Sequence, residues 1–188
     1  ISYICGLFAR QRFNRTNMKP AYLYLFLLGA LFSITSCLDD PEVTAWRKAN
    51  DEFMLSLKDS SEFKPLEYND RILYGDENYN YLDHPVSGIY YKTLVEGRGA
   101  VPLVGQTVQV EYEGRLYDGT VFDSGSRTTL VGTGVISGWS EVLYRIPQGS
   151  TWEVAIPYHL GYGEVKHGSI PAYSCLIFTM ELVSIVED

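Results

Sequence analysis

Apolar and polar positions change rhythm three times along the chain. Between Pro41 and Lys58, Val43, Trp46, Phe53 and Leu57 recur on one face, with Asn50 as a polar interruption. Asp40-Pro41-Glu42 places an acceptor, a proline and an acid at the start of that stretch, which predicts a capped amphipathic helix ended by Asp59-Ser60-Ser61. Such a stripe belongs against the helix's own domain more often than against a partner helix, as in a dimer. Residues 62–86 carry many Asn, Asp and Tyr and little periodicity, which predicts a loop or linker with a short turn at Asp70–Leu73. From Gly88 the period becomes two. Strands are predicted in 89–97, in 108–117 ahead of an Asp118-Gly119 turn, in 150–157, and in a long final stretch, 174–186. Val108, Val110 and Tyr112 share one face of the second, and Leu176, Phe178, Met180 and Leu182 one face of the last. A single short helix interrupts them at 138–146, with Trp139, Leu143 and Ile146 at i, i+4 and i+7 and Pro147-Gln148-Gly149 beyond its end. Several antiparallel strands and one short helix predict an α+β domain whose helix covers one sheet face.

The first 36 residues have a different character. They hold four basic residues (Arg10, Arg12, Arg15, Lys19) and no acidic one, and the 14 residues from Ala21 to Ile34 are apolar. That run is shorter than the roughly 18 residues a membrane span needs and fits the roughly 7–15 of a signal segment. Met18 is a natural start, which would make residues 1–17 an upstream extension. The following Ile34-Thr35-Ser36-Cys37 resembles the lipobox of bacterial lipoproteins, in which the cysteine is acylated and becomes the new N-terminus. The resemblance implies a membrane anchor at Cys37, stable because two acyl chains hold where one is marginal. The alternative is an ordinary cleaved signal with a chance cysteine. Leu38 rather than aspartate after the cysteine resembles the class sorted to the outer membrane. The expected organisation is therefore a signal segment (1–36), a lipid-anchored helix and linker (37–86) and a folded domain (87–188).

Charge and cysteine count narrow the chemistry. The chain carries 15 Lys+Arg against 23 Asp+Glu, a net −8, and without residues 1–36 the balance is 11 to 23, or −12. A surface so acidic opposes nucleic-acid binding, which needs a basic face. Three cysteines, at 5, 37 and 175, build neither a disulfide framework nor a metal knuckle, and His84, His159 and His167 lack metal-ligand spacing. No metal or cofactor is expected. Fifteen tyrosines point instead to aromatic strands or an aromatic pocket.

The order of four segments is specific: residues 108–124, then 135–143, 156–163 and 169–185 resemble the FKBP-type peptidyl-prolyl isomerases, over about residues 87–187. The resemblance implies a half-wrapped antiparallel sheet around one short helix, with an apolar pocket between them. It also implies a set of roles. Tyr112, Phe122, Asp123 and Tyr162 would be the catalytic residues, and Val135, Ile136 and Trp139 would form the floor. Ile170, Phe178 and, loosely, His167 would complete the substrate walls. The Ile136 N–H and Tyr162 hydroxyl would bind carbonyls, and Asp123 would orient the Tyr112 hydroxyl. Taken singly, Trp139 and Phe178 read as core and Asp123 as a strand-end carboxylate; only their joint register makes a site.

Such a pocket suits a reaction that makes and breaks no covalent bond. Amide resonance sets a rotational barrier of about 18–20 kcal/mol. Lowering it needs an apolar hollow fitted to the proline ring and polar groups that favour the twisted amide, and no nucleophile. The resemblance therefore implies isomerisation of Xaa-Pro bonds in exported polypeptides by a lipid-tethered enzyme at a bacterial outer membrane. FK506-type macrolides would be possible ligands. One departure favours an alternative, a binding or chaperone module with little turnover. The segment between Asp123 and Val135 is short and holds no wall aromatic, leaving Leu130 or Val131 to substitute.

Overall fold

The computed structural model describes residues 40–67 and 88–186. The signal segment, Cys37, the expected turn at Asp70–Leu73 and His84 lie outside the described residues. Asp40 caps α1 (Pro41–Lys58) as its sequence predicts: its carboxylate accepts from Glu42 N at 2.9 Å, and Pro41 opens the first turn. Two residues of the expected linker form β1 (Lys64–Pro65), the first of six antiparallel strands. The others are β2 (Tyr90–Val95), β3 (Thr107–Arg115), β4 (Val121–Leu130), β5 (Thr151–Ile156) and β6 (Leu176–Val186). The short helix α2 (Ser137–Leu143) lies between β4 and β5. The spatial order is β1-β2-β5-β6-β3-β4.

Alternation decides which residues meet. Val108, Val110, Val154, Ile156, Leu176, Phe178, Met180 and Leu182 are buried on one sheet face, together with Trp139, Val142 and Leu143 of α2 and Ile146 beyond it. α2 sits close because residue 138 is glycine: a Cβ there would run into Ile156. The Asp118-Gly119 turn joins β3 to β4 with Gly119 at φ 88°, a value that favours glycine.

α1 covers the other face. Leu57 packs with Ala155 and Ile177, which are direct cross-strand partners, and Phe53, Met54 and Tyr90 border them. Asn50, the interruption in the stripe, is the helix's most buried residue at 1% exposure. Its amide donates to Trp46 O (2.8 Å) and accepts from Cys175 N (2.8 Å), so the buried polar group is satisfied at both ends. Of the apolar stripe of α1, Leu57 is buried and Trp46 and Phe53 are partly buried against the domain, while Val43 at its first turn is exposed. No helix among the described residues is long and apolar enough to cross a membrane.

Candidate active site

The head of α2, the edge strand β4 and the turn after β5 enclose a hollow of about 330 Å³. A bulge builds its first wall. Gly114 pairs with Asp123 and Arg115 with Val121, so Phe122 has no residue opposite it. Neighbours on a regular strand point to opposite faces; the extra residue turns both Phe122 and Asp123 into the hollow. Gly114 leaves the room they need: a Cβ there would lie 2.6 Å from Phe122 and 2.7 Å from Phe178.

The rings set one another. Trp139 meets Tyr112 edge-on at 4.9 Å and Phe178 at 5.3 Å, and Phe178 meets Phe122 at 5.6 Å. Such T-shaped pairs are the favoured arrangement of aromatic quadrupoles. Trp139 is 4% exposed, and its buried Nε1–H has no hydrogen-bond partner among the described residues. The principal polar pair is Tyr112, whose hydroxyl donates to Asp123 Oδ2 at 2.8 Å. Burial, then that bond and the nearby carboxylate charge, raise the Tyr112 pKa above its ordinary 10.0. The phenol therefore remains a neutral donor at neutral pH.

Eight of the ten residues expected at the site line this hollow: Tyr112, Phe122, Asp123, Val135, Ile136, Trp139, Tyr162 and Phe178. Two stand back from it. Ile170 is core, 5% exposed, and the exposed His167 stacks flat on Tyr162 (4.0 Å, 5°). His167 and Ile170 are joined by reciprocal backbone bonds of 2.9 Å, which close the loop between them. Two lining residues are new: Arg127 and Gly134, tied together by a 2.9 Å bond from the guanidinium to the Gly134 carbonyl. They occupy the side where the sequence lacks an aromatic. Neither suggested substitute reaches it, since Val131 is core and Leu130 faces solvent. Recognising β4 as a strand would have exposed Arg127, because residues 123, 125 and 127 share a face. Among the described residues no three His, Cys, Asp or Glu side chains gather as a metal site would require. The arrangement offers a ring-walled hollow with a hydroxyl–carboxylate pair in its wall and a cation at the rim.

Residues 99–183 match the model of the family described as FKBP-type peptidyl-prolyl cis-trans isomerase. The chain is 45% identical over 105 residues to the FKBP-type 22 kDa peptidyl-prolyl cis-trans isomerase of Escherichia coli K12, covering 53% of this chain and 51% of that one. It is 46% identical over 104 residues to the outer membrane protein MIP of Legionella longbeachae, covering 53% and 45%. The chain thus spans about half the length of these curated relatives. The crystal structure of AtFKBP13 superposes with a TM-score of 0.50 at 31% identity, over 53% of this chain and 94% of that one.

Proposed function

Because this chain belongs to the FKBP-type peptidyl-prolyl cis-trans isomerase family, we propose that its hollow binds a prolyl ring and speeds cis–trans exchange of the Xaa-Pro bond. The observation that carries this reading is the convergence of Tyr112, Phe122, Trp139, Tyr162 and Phe178 around one cavity with Asp123 at its wall. The ring would seat on the Trp139 floor, which is rigid because Tyr112 and Phe178 brace it edge-on. Excluding water from the substrate carbonyl weakens the charge-separated resonance form that keeps the amide planar, so rotation becomes easier. Tyr112, held neutral and pointed by Asp123, and Tyr162 would supply the donors that favour the twisted geometry; the Ile136 N–H would hold a flanking carbonyl. Val135 would complete the floor. His167 would act through Tyr162, as the plate against which that ring stacks, and Ile170 through the core. An FK506-type macrolide would occupy the same hollow.

Cys37 is proposed as the lipid attachment point, on the lipobox-like residues before it, with the domain at an outer membrane and proline-containing exported polypeptides as clients. The name of the Legionella relative supports the membrane assignment. A second reading, a chaperone or binding module with poor turnover, draws support from the Arg127–Gly134 rim, which replaces an apolar wall by a cation.

The test is NMR exchange on a short Leu-Pro peptide, with wild type and Trp139→Leu. Catalysed exchange in wild type that collapses in the variant supports the enzyme. Full exchange in Trp139→Leu would remove the pocket assignment. Absent exchange with suppressed aggregation of an unfolded client would favour the chaperone. Incorporation of labelled palmitate into the wild-type chain but not into Cys37→Ser tests the anchor.

A further inference from the structure

α1 reaches the pocket without touching it. Tyr162, a pocket wall, lies on a loop whose two ends are the turn at Tyr158–Leu160 and the segment 171–175 ahead of β6. The first end closes on itself, Tyr158 O accepting from Gly161 N (3.0 Å) and Gly163 N (2.8 Å), and is tied to the second by Tyr173 N donating to Gly163 O (3.0 Å). α1 holds both. Trp46 Nε1 donates to Ser174 Oγ at 3.0 Å, and Ser174 Oγ donates to Pro171 O at 2.8 Å. Asn50 accepts from Cys175 N. The Arg47 guanidinium lies 4.6 Å from the Tyr173 ring centre and 5.8 Å from that of Tyr158, bridging the two ends, while Tyr158 and Tyr173 meet edge-on at 5.3 Å. Tyr173 also holds a left-handed backbone, φ 61°, which a non-glycine residue keeps only where its surroundings fix it.

The geometry points to α1 as a positioning element of the active site: Trp46, Arg47 and Asn50 fix the neck of the Tyr162 loop and so set that wall's place in the pocket. α1 precedes the segment matched by the family model, so on this inference residues outside that segment tune its rate. Trp46, Arg47 and Asn50 touch no substrate; they act through Tyr158, Tyr173, Ser174 and Cys175. The inference rests on the isomerase reading for its rate readout, and a second readout is independent of it. The flat stack of His167 on Tyr162 makes the His167 ring-proton shifts report where Tyr162 stands.

The experiment uses the full chain in mild detergent. Arg47→Ala removes the bridging cation and should lower kcat/KM about two- to fivefold, the scale of an exposed cation–π contact. Trp46→Phe keeps the ring but loses the bond to Ser174 and should lower it about two- to tenfold. Both should displace the His167 signals, and Arg47→Lys should restore most of the loss. Two controls should leave rate and signals alone. Lys48→Ala alters the outer side of the helix, where Lys48 is 75% exposed. Val108→Ala lowers stability from the core. Wild-type rate and His167 signals in both Arg47→Ala and Trp46→Phe would overturn the inference, as would equal displacement by Val108→Ala. If wild type shows no turnover, the isomerase reading fails, while the His167 signals still decide whether α1 places the loop.

Discussion

Alanine at position 114 tests how tightly the pocket wall is set. Gly114 carries no positive φ, so a methyl group there is not strained by the backbone; the whole effect is steric. The added carbon would stand 2.6 and 2.7 Å from two carbons of the Phe122 ring and 2.7 Å from Phe178 Cε1. Carbon pairs prefer about 3.5–4.0 Å, so some ring must retreat by about 1 Å. Phe178 has nowhere to go, being 4% exposed and braced by Trp139, Phe122 and Tyr112. Phe122 is half-buried on the edge strand and yields outward, opening the wall. Overpacking of this kind costs about 1–3 kcal/mol, here near the high end because moving Phe122 leaves the 2.7 Å contact with the braced Phe178 unrelieved. A displaced wall also costs rate, about 10²-fold for a 1 Å misplacement. Urea midpoints at constant m-value measure the first quantity, and exchange of a Leu-Pro peptide, well below the transition, measures the second. Wild-type midpoint and wild-type exchange in Gly114→Ala together would refute the packing argument.

Three further outcomes are expected. Burial pushes the Cys175 thiol from 9.0 up to about 12, so the folded state holds that proton more tightly than the unfolded one. Its contribution is complete below pH 9 and disappears as pH rises toward 12, at about 1.4 kcal/mol per pH unit for one proton. Urea midpoints taken across that window should fall less steeply in Cys175→Ala; parallel slopes would contradict this. Asn50→Ala strands the buried Cys175 N–H and should cost about 1–3 kcal/mol in urea unfolding, a figure that an unchanged midpoint would refute. In Asp123→Asn the Tyr112 phenol loses a charged acceptor, and carbon-13 titration of its ring should show its pKa lower than in wild type yet still above 10.0 through burial; an unmoved titration would show that Asp123 does not govern it.

The legible parts of the molecule were those where burial enforces a period. β3 alternates cleanly and β6 does so from Phe178 to Leu182 because one face meets α2, which puts Tyr112 and Phe178 on that face; their roles, like that of Trp139 on α2, come from the family resemblance. β4 escaped notice for the opposite reason. It is an edge strand whose residues are mostly exposed on both faces, so Ser, Gly, Thr and Arg carry no alternation to read. Arg127 went unseen with it, and the bulge that turns Phe122 and Asp123 the same way is a property of pairing, absent from any single strand. Asn50 looked like a flaw in an apolar stripe because its partner, the Cys175 backbone, is 125 residues away. His167 stacks on Tyr162 and Ile170 lies in the core, contacts that position along a loop does not reveal.

The final strand of the described chain runs through the middle of the sheet, hydrogen-bonded to β5 on one side and β3 on the other. Hairpins made earlier can pair locally, but the two halves of the molecule share no ladder until residues 176–186 have been synthesised. Until then the nascent polypeptide displays unpaired edges and greasy side chains, the condition in which aggregation competes with folding. Deleting residues 176–182, the part of this strand that binds both neighbours, should therefore abolish the native state rather than trim it.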